Sequence, residues 1–262
     1  MILDSNKKLF LCGPNVIESE KHTLTMAGEL KNIFSKFPNI QFVFKTSFDK
    51  ANRTSYDSYR GLGIEEGLRI LKKVKEEVGL NVITDVHESW QCAKVNDIVD
   101  IIQIPAFLCR QTNLLQAAAD TNKILHIKKG QFLPAKTMIK VVEKLRRMGH
   151  TNKIILCERG TMFGYQDLIV DFRNLIWMKG NDNLVSMDIT HCLQQPNKTN
   201  EEGLVQAGGL REFIPLMGKL ALVAGVDAIF MEVHNDPDKA LCDGPTQFNL
   251  NMLVAFLNSL GL

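Results

Sequence analysis

Eight short β-rich runs, each followed by a stretch of helical periodicity, punctuate the chain at 8–12, 41–45, 80–85, 100–104, 124–128, 153–157, 184–188 and 228–232. This alternation narrows the possible folds more than any other feature. The connecting segments have the spacing of amphipathic helices: Ile64, Leu68, Leu71, Val74 and Val78 fall on one face, with Glu and Lys opposite, and segments near 135–148 and 211–224 read similarly. Eight β-then-α units predict an α/β fold of the (β/α)8 TIM barrel type, a parallel sheet closed on itself. The 262 residues suit one such barrel, which takes about 250. With no Ser/Pro-rich linker or composition shift, residues 1–262 read as a single domain. A doubly wound open sheet is the alternative, and the first strand lacks the GxGxxG turn that would favour it.

Charge and hydropathy exclude several classes of function. Thirty-one Lys and Arg against 29 Asp and Glu leave a formal charge of +2, too little for a bulk grip on nucleic acid or an anionic membrane. The most apolar stretches, 99–109 and 220–230, are interrupted by Asp100, Gln103, Gly225 and Asp227 and fall short of the roughly 18 to 20 apolar residues that cross a bilayer. The N-terminal segment does not resemble a signal peptide, so a cytoplasmic protein is expected. Six scattered cysteines without a CxxC pair read as reduced, mostly structural thiols.

What ends each strand carries the functional signal. In a parallel barrel the C-terminal strand ends and the loops after them face one cavity, so polar groups placed there can act together. The ends carry Asn15, Lys45, Asp85, Gln103, Lys128 with Lys129, Glu158 with Arg159, Asp188 with His191, and Glu232 with His234. Any one of these is ordinary for a solvated loop. A polar group at all eight ends is not, because charges converging on one mouth are costly to desolvate without a ligand. Lys45, Lys50, Arg53, Lys128, Lys129 and Arg159 form a candidate cationic cluster within a nearly neutral chain, which calls for phosphate or carboxylate groups. Asp85, Glu232, Asp243 and His191 suit proton transfer or a divalent ion. His234 serves equally well to orient loop backbone.

Five segments carry a resemblance: Gly13-Pro14-Asn15, Phe44-Lys45-Thr46-Ser47-Phe48-Asp49-Lys50-Ala51-Asn52-Arg53, Thr84-Asp85-Val86-His87-Glu88, Gln103-Ile104-Pro105-Ala106-Phe107-Leu108-Cys109-Arg110-Gln111 and Cys242-Asp243-Gly244-Pro245. The chain resembles, over essentially its whole length, the 3-deoxy-D-manno-octulosonate 8-phosphate synthase family. The resemblance implies condensation of phosphoenolpyruvate with D-arabinose 5-phosphate for the lipopolysaccharide inner core, by a homotetramer. It implies that Lys128 and Arg159 clamp phosphoenolpyruvate, with Gln103 and Ala106 lining that pocket, and that Lys45, Lys50, Asn52 and Arg53 surround the sugar phosphate. Arg110 would reach that phosphate from a neighbouring subunit. Asn15, Asp85, His191, Glu232 and Asp243 would hold the attacking water and move its protons.

The family divides into metal-dependent members with Cys in the first-strand motif and metal-independent members with Asn. Asn15 and the Cys242-Asp243-Gly244-Pro245 segment resemble the second group, which implies no metal and no cofactor, while Lys129-Gly130-Gln131-Phe132 and Gly208-Gly209-Leu210-Arg211-Glu212-Phe213 resemble the first. Cys12, three residues before Asn15, is expected to leave its strand in another direction. The rival readings are the sister 3-deoxy-heptulosonate 7-phosphate synthase, which uses erythrose 4-phosphate and typically reads Lys-Pro-Arg-Thr-Ser where this chain has Lys50-Ala51-Asn52-Arg53-Thr54, a Schiff-base aldolase acting through Lys128, and a phosphosugar-binding barrel without turnover.

Overall fold

A computed structural model describes residues 1–163, 167–180, 182–199 and 205–262. Seven strands lead the chain: β1 (Lys8–Gly13), β2 (Ile40–Lys45), β3 (Val82–Asp85), β4 (Ile101–Ile104), β5 (Ile124–Lys128), β6 (Ile154–Glu158) and β7 (Leu184–Asp188). After β7 the chain makes an antiparallel hairpin, β8 (Gln194–Thr199) and β9 (Val205–Gly209), before β10 (Ala228–His234) and the two-residue β11 (Phe248–Asn249). Strands β1 to β7 pair in sequence order, each parallel to the next, and β10 closes the ring between β7 and β1. The eight-stranded parallel barrel expected from the alternation is present. The hairpin and β11 add to it elements that no β-then-α count contains.

The helices α1 (Glu20–Phe34), α2 (Ile64–Lys73), α3 (Ser89–Asn96), α4 (Thr112–Asp120), α5 (Thr137–Arg147), α6 (Arg173–Met178), α7 (Ile214–Val223) and α8 (Leu253–Ser259) connect and cap the strands. The helix expected over 64–78 runs as α2 and then widens into a π turn, Val74–Val78, that ends at Gly79 with φ +74°. In the segment near 211–224, a 3-10 turn, Arg211–Phe213, precedes α7.

Successive side chains of a strand alternate between its two faces, and the core divides accordingly. Leu9, Leu11, Val43, Ile83, Ile101, Ile124, Ile155, Cys157, Ala228 and Phe230 fill the barrel interior. Phe10, Phe44, Val82, Ile102, Leu125, Ile127, Leu156, Ile229 and Met231 pack outward under the helices. Extended to the open end, the same parity gives Asn15, Lys45, Asp85, Gln103, Lys128, Arg159, Asp188 and Glu232 the inward positions. Cys12 has the outward parity and lies in the layer beneath the helices, away from Asn15 as expected.

Gly13 lies where β1 passes closest to β2. A Cβ built there would stand 2.0 Å from the Lys45 carbonyl oxygen, a backbone atom that cannot turn aside. Gly13→Ala is therefore expected to cost about 3 kcal/mol in urea unfolding, near the upper end for overpacking. Gly28→Ala within α1, where a Cβ meets nothing within 4 Å, should stabilise by about 1 kcal/mol. Equal unfolding midpoints for the two variants would contradict this account of Gly13.

Candidate active site

A cavity of about 740 Å³ opens at the C-terminal end of the barrel. Phe230, of the barrel interior, lies against two of the lysines that line it. Lys128 Nζ stands 3.6 Å and Lys45 Nζ 5.6 Å from the Phe230 ring centre, so both ammonium groups rest on an aromatic face. Below, His126 stacks on the same ring at 5.6 Å and 10°.

Four of the cavity cations, Lys45, Lys50, Arg53 and Lys128, reach the mouth with a carboxylate beside them, while Arg159 donates to the Gln194 amide oxygen. Lys45 Nζ donates to Ser47 Oγ at 2.7 Å and lies 3.5 Å from Asp85 and 4.0 Å from Glu232. Ser47 in turn donates to Asp85. Lys50 lies 3.7 Å from Glu232, and Arg53 Nη1 donates to Asp243 at 2.8 Å. Lys128 donates to Asp188 at 2.5 Å. Burial and the nearby Lys50 charge lower the Lys45 pKa to about 8, against the partial support of Asp85 and Glu232. Burial pulls Lys50 the same way, but Glu232 and Asp85 outweigh it and raise its pKa. The carboxyl group of Asp85 is held well below its usual range because Lys45 and His87 override the effect of burial.

Asn15, His191, Glu232 and Asp243 meet at one side of the mouth. Asn15 Nδ2 donates to Glu232 Oε2 at 2.6 Å and to Asp243 Oδ2 at 3.4 Å, while its Oδ1 is buried without a partner. His191 Nε2 lies 3.5 Å from Glu232 and 4.0 Å from Asp243. Burial pushes both carboxyl groups up, and His191 with Lys50 brings them below their usual values. His191, Glu232 and Asp243 each offer an atom within 4.8 Å of the others, a spacing a metal ion can use. Asp243 adopts the left-handed conformation, φ +48° and ψ +31°, a strain of roughly 1 kcal/mol for a residue with a Cβ.

The expected residues Lys45, Lys50, Asn52, Arg53, Asp85, Gln103, Ala106, Lys128, Arg159, His191, Glu232 and Asp243 all line this one cavity, and Asn15 lies behind it. Arg110 is exposed and outside the lining of its own chain's cavity. One member of the cationic cluster is corrected by the structure. Lys129 is fully buried on the outward parity of β5, where it donates to the Gly130 and Gly160 carbonyls and Thr161 Oγ1 and lies 3.4 Å from Glu158. Strand alternation excludes Lys128 and Lys129 from facing the same way. Of the two readings for His234, the structure favours loop orientation: it lies outside the cavity lining, its Nδ1 accepts from the Asp236 N–H, and its Nε2 faces Glu18 at 3.3 Å.

Several contributors escaped sequence reasoning. Ser47 and His87, which holds Asp85 Oδ2 at 3.2 Å, lie in quoted segments, and the clue was the i, i+2 spacing from Lys45 and Asp85. Gln194 accepts from Arg159 at 3.1 Å and lies 3.5 Å from Asp243, yet it belongs to a hairpin with no distinctive pattern. Gln247 accepts the Asn15 backbone N–H at 3.1 Å and donates to the Cys242 carbonyl, which fixes Asn15 against the loop that carries Asp243.

Comparison with known proteins gives a consistent assignment. A family model described as the DAHP synthetase I family matches residues 2–261. A 2-dehydro-3-deoxyphosphooctonate aldolase from Pisum sativum is 57% identical over 251 residues, which are 95% of this chain and 86% of that protein. The protein of the same name from Cyanothece sp. (strain PCC 7425) is 49% identical over 248 residues, covering 95% and 89% of the two chains. One from Legionella pneumophila (strain Corby) is 48% identical over 256 residues, or 97% and 91%.

Asp188 anchors the cluster electrostatically. Its Oδ1 accepts from Thr190 N, Thr190 Oγ1 and His191 N, and its Oδ2 takes Lys128 and lies 2.8 Å from His191 Nδ1. Burial alone would raise its pKa, but His191 and Lys128 hold it well below the ordinary value. The stability it contributes is present above the unfolded carboxylate value near pH 4 and is lost as pH falls below it. Asp188→Ala should cost about 3 to 5 kcal/mol at pH 7 by leaving Lys128 buried without its carboxylate. It should also flatten the loss of stability below about pH 4. Urea unfolding at several pH values checks both effects.

Proposed function

The chain belongs to the DAHP synthetase I family, and on that premise we propose that it condenses phosphoenolpyruvate with D-arabinose 5-phosphate and water to give 3-deoxy-D-manno-octulosonate 8-phosphate and phosphate. One observation carries the reading. The cavity cations form two groups on opposite sides of the ring, Lys50 and Arg53 after β2, and Lys128 and Arg159 after β5 and β6, with Lys45 between them beside Phe230. Two groups held apart suit two phosphorylated substrates, and a single small anion would need only one.

Lys128 and Arg159 bind phosphoenolpyruvate, with Gln103 and Ala106 beside it, and Lys50, Asn52 and Arg53 receive the sugar phosphate. C3 of phosphoenolpyruvate attacks the aldehyde carbon. The aldehyde oxygen takes a proton as the carbon–carbon bond forms, and Lys45, with its pKa of about 8, is suited to give it at neutral pH. Positive character develops at C2, where a water adds and loses a proton, and phosphate then leaves by carbon–oxygen cleavage. His191, Glu232, Asp243 and Asp85 line the cavity and take that proton, and Asn15 behind them holds Glu232 and Asp243 through its amide N–H groups. Juxtaposing two anions against fixed charge supplies most of the acceleration.

No metal takes part in this proposal. The Asn15 amide turns its N–H donors toward Glu232 and Asp243, and a neutral amide is a poor ligand for a transition metal. We further place Arg110 at the sugar phosphate of a neighbouring subunit in a homotetramer. Its exposure at the end of the loop after β4 supports that assignment. The product serves the inner core of lipopolysaccharide, and the enzyme works in the cytoplasm.

Phosphate release from phosphoenolpyruvate, measured with arabinose 5-phosphate and erythrose 4-phosphate side by side, tests the reaction. The five-carbon sugar should be favoured by at least about 2 to 3 kcal/mol, because a site built to bond its extra hydroxyl leaves polar groups unpaired around the shorter one. Activity should survive dialysis against a chelator. Equal turnover of the two aldoses would sink the substrate assignment, and loss on chelation with rescue by manganese or zinc would overturn the argument from Asn15. Arg110→Ala should weaken arabinose 5-phosphate by about 1.5 to 3 kcal/mol and leave phosphoenolpyruvate nearly unaffected. A rise confined to the KM of phosphoenolpyruvate would defeat the cross-subunit role.

A further inference from the structure

Beneath the charged rim lies an uncharged polar layer with no part in the chemistry above. His126 of β5 is fully buried and engaged at both ring nitrogens, Nδ1 with Gln103 Oε1 at 3.1 Å and Nε2 with Ser186 Oγ at 3.0 Å. Burial, reinforced by Lys128, lowers its pKa to about 3, so at neutral pH the ring is uncharged and carries one proton.

The partner at Nδ1 decides which nitrogen holds that proton. The Gln103 oxygen facing it can only accept, so the ring proton sits on Nδ1 and Nε2 is an acceptor. The Ser186 hydroxyl, 3.0 Å from Nε2 and 3.4 Å from the Leu156 carbonyl, supports that tautomer when its one hydrogen is directed to Nε2. Gln103 Nε2 is left facing the cavity, where it makes no hydrogen bond among the described residues.

The relay works against the local field. Lys45 and Lys128 line the same cavity, and an unconstrained amide would turn its carbonyl toward such cations. A carbonyl oxygen facing an incoming phosphate or carboxylate would repel it.

We propose that Ser186 and His126 form a two-step hydrogen-bond relay that fixes Gln103 as a donor toward an anionic oxygen of phosphoenolpyruvate, with His126 as a positioning residue that never touches substrate. The proposal deepens the reaction assigned above and rests on it for the identity of the ligand. It also explains why a neutral imidazole suits this place: a cationic side chain would add a third buried charge beside Lys45 and Lys128, and an apolar one would leave the amide free to turn.

Two substitutions separate positioning from packing. His126→Phe keeps a ring against Phe230 and removes both hydrogen bonds, whereas His126→Asn places an amide N–H where Nδ1 stood. His126→Phe should raise the KM of phosphoenolpyruvate, and its Kd by calorimetry, about tenfold, with the KM of arabinose 5-phosphate little changed. His126→Asn should recover at least half of the loss on a logarithmic scale, and Ser186→Ala should fall between wild type and His126→Phe. In a Gln103→Ala background, His126→Phe should add nothing, because the group it positions is already gone. Thermal melts identify any variant that fails to fold, in which case His126→Asn and Ser186→Ala carry the test. Equal weakening of both substrates, or a full His126→Phe penalty in the Gln103→Ala background, would overturn the relay. Calorimetry with phosphoenolpyruvate alone keeps the two claims apart: wild type that binds it without turning over arabinose 5-phosphate would defeat the reaction while the His126 comparison still decides the relay.

Discussion

Lys45, Lys50, Arg53 and Lys128 each come within 4.0 Å of a carboxylate at the open end of the barrel. That pairing is the condition for everything else in the mouth. An unpaired ammonium in such a well would lose its proton or destabilise the fold by several kcal/mol, since little solvent remains to screen it. The carboxylates are shared between neighbours: Glu232 serves Lys45, Lys50, Asn15 and His191 together. Sharing leaves the cations charged yet incompletely neutralised, which is the state in which they attract anions. Phe230 adds a face that accepts cations without competing for their hydrogen bonds.

Much of this was legible in the sequence because it follows from two periods. The alternation of β-rich and helical segments gave the barrel with strand boundaries within two residues, and two-residue parity decides which side chains enter the mouth. The Lys128-Lys129 doublet shows the cost of neglecting that parity. Read as composition, it puts two cations in the cavity, and read as a strand, only one.

What stayed illegible has different causes. The β8–β9 hairpin contributes Gln194, which joins Arg159 to Asp243, but a hairpin inserted between β7 and α7 carries no periodic signal. The left-handed backbone at Asp243 has no mark in a sequence where Gly follows it. His126 carries no signal of its own in the sequence, because its significance lies in a serine 60 residues away and a glutamine 23 residues before it.

Lys129, displaced from the role composition assigned it, has a mechanical consequence. Its ammonium binds carbonyls from the loops after both β5 and β6 and the Thr161 hydroxyl, and Glu158, beside it, accepts the backbone N–H groups of Arg159 and Gly160. The two loops are thereby stitched into a single stiff jaw that carries Lys128 and Arg159. On the facing side, the 50–58 segment and the loop holding Asp243 are joined mainly through the Arg53 side chain. The mouth thus has one wall braced from within by a buried lysine that spans two loops, and a facing wall tied across its rim by an arginine.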